Sequence, residues 1–144
     1  MRRRTWANRI SQAVLLGVCA TSTPGVADAP TLEASLSCRP EAAPGRVLCE
    51  LVFSAPRGGE LVWVDALVTQ APAFAPPLRS RVAAERFARS GAAAHTLGLA
   101  FVASAAGVGQ VSVSARGVAC RGTGEQRQCR PAQRLLTGEL RVGS

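Results

Sequence analysis

From Leu32 onward, apolar and polar residues alternate with a period of two, the mark of strands with one buried face and one wet face. Leu32, Ala34, Leu36 and Cys38 interleave with Glu33, Ser35 and Ser37. Pro40 to Gly45 supplies turn chemistry, after which Val47, Cys49, Leu51 and Phe53 resume the alternation. The two runs therefore predict a hairpin with a cysteine in each of its apolar sets. After a second turn at Pro56, Arg57, Gly58 and Gly59 comes Glu60 to Thr69, apolar on both sides. Leu61, Trp63 and Leu67 fall on one and Val62, Val64 and Val68 on the other, which predicts a strand in the middle of a sandwich.

Pro72, Pro76 and Pro77 bar Ala71 to Pro77 from a sheet ladder and predict a loop or edge crossing. Arg79 to Arg89 reads as a connector, in which Val82, Ala83 and Phe87 suit a short helix and Arg81 to Ala84 a short strand. Leu97, Leu99, Phe101 and Ala103 give another strand. Gly107 and Gly109 then read as a hairpin turn into Val111, Val113 and Ala115, whose neighbours Ser112, Ser114 and Arg116 face water. Gly117 marks a bulge near Cys120, Arg121 to Gln128 is a polar loop, and Leu136, Leu140 and Val142 finish the chain as a last strand. Six or seven short strands with Pro and Gly turns predict an all-β, antiparallel sandwich of the immunoglobulin-like class, with residues 28–144 as one domain.

The segment ahead of these strands changes the setting. Arg2, Arg3, Arg4 and Arg9 precede the apolar run Ala13 to Ala20, and no acidic residue appears before Asp28. The run is too short to span a bilayer, which needs about 20 apolar residues. Pro24 and Gly25 follow, and small residues stand at the spacing of a cleavage site. Residues 1–27 thus read as a secretory signal peptide, cut after Ala27, or alternatively after Ala29, where Pro30 would follow the cut directly. Val18 is too large for lipoprotein processing at Cys19, and Ala7 and Asn8 do not complete a twin-arginine signal. A periplasmic or secreted protein is expected, with no stable membrane insertion once the leader is removed.

Removing that leader alters the charge. The chain of 144 residues carries +8, but four of its 17 arginines lie in the leader, leaving 13 against nine acids, or +4, on 117 residues. The basic residues are all arginine, with no lysine, which with the alanine content suggests a GC-rich bacterial genome. Trp63, Phe53, Phe74, Phe87 and Phe101 do not interleave with the arginines as a base-stacking platform requires, so nucleic acid is not an expected partner.

Four cysteines remain, Cys38, Cys49, Cys120 and Cys129, an even number in an exported chain, and two disulfides are the default. Hairpin logic favours Cys38 with Cys49 and Cys120 with Cys129, each closing a loop of about ten residues. A bridge between the sheets, Cys49 to Cys120, is the main rival. Spacings of ten and eight intervening residues are not the close pairs of zinc ribbons, and neither metal nor cofactor is expected.

The stretch Val111, Val113, Cys120, Cys129, Arg130, Pro131 and a final strand resembles the end of the periplasmic N-terminal domain of DsbD-type thiol:disulfide interchange proteins. The resemblance covers about 30 residues. It implies an immunoglobulin-like sandwich in which Cys120 and Cys129 shuttle a disulfide by thiolate exchange with partner proteins. Departures from the pattern are the wider spacing of the two cysteines, Arg130 where an apolar residue is usual, the lack of tyrosine, and the lack of the membrane-embedded and thioredoxin-like parts. Arg121, Arg127 and Arg130 around the pair would favour a thiolate.

Other chemistry is sparse. His95 has no second histidine or placed carboxylate in sequence and reads as an exposed loop residue just ahead of a strand. Asp65 lies inside the Trp63 strand and is expected to bond a turn or an arginine rather than to catalyse. Hydrolase and nucleotide motifs are absent. The Phe74 loop is expected to cover an open end of the sandwich, the alternative being an apolar contact for a partner. The expected function is a non-enzymatic, disulfide-stabilised domain that binds another envelope or extracellular protein. The alternative is a thiol-disulfide relay through Cys120 and Cys129.

Overall fold

A computed structural model describes residues 31–84 and 93–143. Residues 1–27, which the sequence reads as a leader, both expected cleavage positions, Cys19 and Phe87 lie outside the described residues. Seven strands form in chain order: β1 (Glu33–Cys38), β2 (Gly45–Ser54), β3 (Gly59–Gln70), β4 (Arg81–Ala83), β5 (Ala94–Ala103), β6 (Gly107–Arg121) and β7 (Gln128–Val142). They pair antiparallel in two sheets, ordered β1-β2-β5 and β4-β3-β6-β7. The molecule is an immunoglobulin-like antiparallel sandwich, as the alternation predicts.

The inner residues of both sheets make one core. Val47, Cys49, Leu51 and Phe53 of β2 and Leu97, Leu99 and Phe101 of β5 face Leu61, Val64 and Ala66 of β3 and Val111, Val113 and Ala115 of β6. β2 shows the cleanest pattern, every second residue from Val47 to Phe53 being fully buried. The chain crosses between the sheets after β2, after β4 and after β5, so Ser104 to Ala106 is a crossing between sheets and not a hairpin turn.

Several expectations change. β3 is not apolar on both sides of one regular strand: a bulge at Val62, where Leu61 pairs with Ala119 and Trp63 with Val118, resets the alternation. Leu61, Val64 and Ala66 then face the core, while Trp63 and Leu67 face out. Gly107 and Gly109 lie within β6, and a side chain at either would meet the Phe74 ring at 3.0 Å or Pro72 at 2.6 Å. Gly117 is not a bulge, since β6 keeps register with β7 through it; a Cβ there would come within 2.9 Å of Leu32 and 3.1 Å of the Trp63 carbonyl oxygen. Ser114 is buried, its hydroxyl accepting a 2.9 Å hydrogen bond from Gln133 Nε2.

The proline-rich loop covers a sheet edge. Leu78 N–H donates to Ala100 O, Val102 N–H to Pro76 O and Ser104 N–H to Phe74 O, at 2.8–3.0 Å. These bonds satisfy the outer side of β5, which would otherwise be open to pairing with another chain. Phe74, half-buried against the core, closes that part of the sandwich.

Candidate functional site

Strand alternation and register place one array of side chains on the outer face of the larger sheet. Its rows are Trp63–Val118–Pro131, Asp65–Arg116–Gln133 and Leu67–Ser114–Leu135. Trp63 and Leu67 are each 38% exposed and Leu135 73%, so three large apolar side chains stand in water on one face.

Between them lies the one buried charge among the described residues. Asp65 is 0% exposed although it points away from the core, because two guanidiniums cover it. Arg116 Nε donates to Oδ1 at 2.8 Å and its Nη2 to Oδ2, while Arg81 Nε and Nη2 reach Oδ2 at 2.8 and 2.7 Å. Asp65 thus bonds arginines, as its place in the strand suggested, and two of them rather than one. Burial pushes its carboxyl up, but the hydrogen bonds and charges of Arg116 and Arg81 outweigh that and hold it below its usual value. Arg116 is correspondingly raised, mainly by its hydrogen bond to Asp65.

Held by Asp65, the Arg116 guanidinium lies 5.8 Å from the centroid of the Trp63 ring, within cation–π range. Trp63, Arg116, Pro131 and Gln133 then line a shallow cleft of about 280 Å³. The sequence signal for this array is that Trp63, Asp65 and Leu67 share a period-two set; the bulge at Val62, which turns the set outward, leaves no mark in the residue types.

Asp65→Asn is expected to cost about 2 kcal/mol at pH 7, the range of hydrogen bonds to charged groups. Both arginines are part-exposed and rehydrate, which keeps the loss below that of a sealed pair. Because the folded carboxyl lies below its ordinary value of 3.8, the stabilisation is complete at neutral pH and is lost as pH falls through the lower folded value. Urea unfolding should therefore show the gap between wild type and variant narrowing below about pH 4.

The cysteines pair as the hairpins require, Cys38 with Cys49 and Cys120 with Cys129, and the inter-sheet rival Cys49–Cys120 is not made. Each bond joins residues directly opposite on adjacent strands, with Cα atoms 4.0 Å apart. Their surroundings differ. Cys49 is fully buried in the core and Cys38 packs at its edge, whereas Cys120 is buried outside the core cluster and Cys129 is exposed.

Of the three arginines around the second bond, Arg127 pairs with Glu60 at 2.5 Å, and Glu60 stands opposite Cys120. Arg121 and Arg130 alternate to the other side of their strands, where they rim a cleft of about 120 Å³ between Leu32, Pro56, Ala119 and Ala132. His95 is not a loop residue: β5 begins at Ala94, and His95 is half-buried opposite Phe53. The strand starts early because β2 extends to Ser54, which pairs with Ala94. Among the described residues no three His, Cys, Asp or Glu side chains come together as metal ligands, and no helix is long and apolar enough to cross a membrane.

No family model matches the chain, and no curated protein matches it.

Proposed function

We propose that this is an exported, non-enzymatic binding domain, cut from its leader after Ala27, whose outer β3-β6-β7 face meets another envelope or extracellular protein. The observation that carries the reading is the cluster of Trp63, Leu67 and Leu135 exposed around a fixed Arg116. Tryptophan and arginine are enriched among the few residues that carry most of the energy of protein interfaces, and the exposed leucines extend the apolar area around them. Export is supported by the arginine-rich, acid-free leader and by two disulfides, which persist in oxidising compartments.

A photo-crosslinking residue placed at Leu67 or Leu135 in the exporting cell tests the reading. A discrete protein adduct is expected from both positions and not from Leu48, which is exposed on the outer face of the other sheet. Equal adducts from Leu48, or none from Leu67 and Leu135, overturn it.

One observation favours a second reading, the relay that the DsbD-type resemblance implies. Cys129 is exposed and Cys120 buried, so an incoming thiolate would meet Cys129 first. Attack there forms a mixed disulfide with Cys129 and releases Cys120 as the thiolate. The arginines do less for that thiolate than their sequence positions imply, Arg127 being compensated by Glu60 and Arg121 and Arg130 lying on the opposite side. A potential for the pair well below about −300 mV, with no exchange with thioredoxin-type proteins, excludes the relay.

A further inference from the structure

β7 is a 15-residue strand at the border of its sheet, and its outward backbone groups can be assigned residue by residue. In an antiparallel pair, opposite residues alternate between hydrogen-bonded and non-hydrogen-bonded, the latter with closer Cα atoms. Cys120 and Cys129 are opposite at 4.0 Å, so they form a non-hydrogen-bonded pair. Odd-numbered residues of β7 therefore aim N–H and C=O away from β6. Two independent observations agree: the Arg141 carbonyl accepts from the Glu41 N–H outside the sheet, and Pro131, which has no N–H, falls at an odd position where none is needed.

Among the described residues only the end of this edge is bonded through its backbone, by the Glu41 contacts with Arg141 and Gly143; β1 runs beside β7 on the core side, with Leu36 at 3.1 Å from where a Cβ on Gly138 would stand, and leaves the outward N–H groups unbonded. The N–H groups of Gln133, Leu135, Thr137 and Glu139 have no backbone partner there. The other edges are six residues long (β1), three residues long (β4) or covered by the proline loop (β5).

We infer that the outward edge of β7 between Pro131 and Glu139 takes up an extended segment of another protein as an added strand, one with alternating apolar and acidic residues. This deepens the binding reading above and rests on it. The chemistry of the segment follows from the two sides of β7. Residues of an added strand opposite Pro131 and Leu135 share the outer face with those apolar side chains, and residues opposite Arg130 and Arg134 share the other.

Arg130 and Arg134 have no carboxylate within ion-pair distance among the described residues; Arg134 bonds only the Thr31 hydroxyl. Carboxylates on the incoming strand would answer them. A second copy of β7 is disfavoured, since antiparallel self-pairing about the middle of this segment sets Arg134 beside or diagonal to its own twin. Main-chain bonds would then give the affinity and the alternating side chains the selectivity.

The test uses the mature oxidised protein and a synthetic peptide of alternating valine and glutamate, read by amide hydrogen exchange. The peptide is expected to slow exchange at Gln133, Leu135 and Thr137 and to leave Arg134 and Leu136, already bonded to β6, unchanged. Leu135→Pro removes one outward N–H without touching the β6 ladder, so its unfolding curve should stay close to wild type while peptide affinity falls at least about tenfold. Replacing glutamate by lysine in the peptide should abolish binding.

Failure of the valine–glutamate peptide to bind, or binding that leaves the odd amides unprotected, overturns strand addition. Odd amides already protected in the free protein, together with a dimer in solution, identify a second copy as the occupant and also overturn it. The crosslinks from Leu67 are independent of these readouts, so strand addition can fail while the binding face stands.

Discussion

Replacing Cys38 and Cys49 together by alanine is expected to lower the unfolding free energy by about 3–4 kcal/mol, against about 2–3 for the same change at Cys120 and Cys129. The closed loops are nearly equal, with sequence separations of 11 and 9, so the chain-entropy contributions almost match. The difference comes from packing. Cys49 is fully buried among Val47, Leu51 and Leu99, and Cys38 Sγ lies 3.7 Å from where a Cβ on Gly138 would stand. Losing both sulfurs there opens space that two strands fixed in register cannot close. Cys120 is buried but outside the core cluster and Cys129 is exposed, so losing that pair opens a smaller void. For a domain whose total stability is of order 5–15 kcal/mol, the first change is severe. Urea unfolding of the two double variants checks this, and m should rise in both because the unfolded chain loses a constraint.

The second large effect is kinetic. Under limiting dithiol, Cys120–Cys129 is expected to open at least about tenfold faster than Cys38–Cys49, because exchange requires in-line access to a sulfur. Cys129 is exposed, whereas Cys49 is fully buried and Cys38 only half-buried at a cleft beside Pro40 and Arg141. The buried position of Cys120 works the other way on the product: a thiolate released where it is poorly solvated is disfavoured and recloses on the mixed disulfide. Timed alkylation and mass spectrometry of the four cysteine peptides measure both rates. Equal rates, or faster opening at Cys38–Cys49, would contradict the burial pattern. Fast opening alone does not make the pair a relay, since an exposed staple opens fast as well.

Much of the fold was legible because its information is local. The alternation in β1, β2 and β5 survives unchanged, and two short turns return Cys38 to Cys49 and Cys120 to Cys129. What failed was written elsewhere in the chain. Gly107, Gly109 and Gly117 read as turn and bulge glycines, but each makes room for a residue remote in sequence, namely Phe74, Pro72 and Leu32. The Val62 bulge is carried by an ordinary strand former, so its effect on Trp63 and Leu67 could not be read.

The site was legible in the same uneven way. A carboxylate inside an apolar strand announces a partner, and Asp65 has two. Neither Arg81, 16 residues on, nor Arg116, 51 residues on, is singled out by sequence from the other arginines. The open edge of β7 is a property of sheet order, and the expected last strand, beginning near Leu136, hid its first half. Pro131 held the one local clue, being tolerated only where a strand has no inward N–H to give.

Crosslinking from Leu135 in the exporting cell, with Cys120 and Cys129 both changed to serine, decides whether the domain works through its outer face and edge or through its thiols. A binding face predicts the same protein adduct as in the wild-type background, from a variant that remains folded. Loss of that adduct from the folded variant would contradict it and return the function to the Cys120–Cys129 pair.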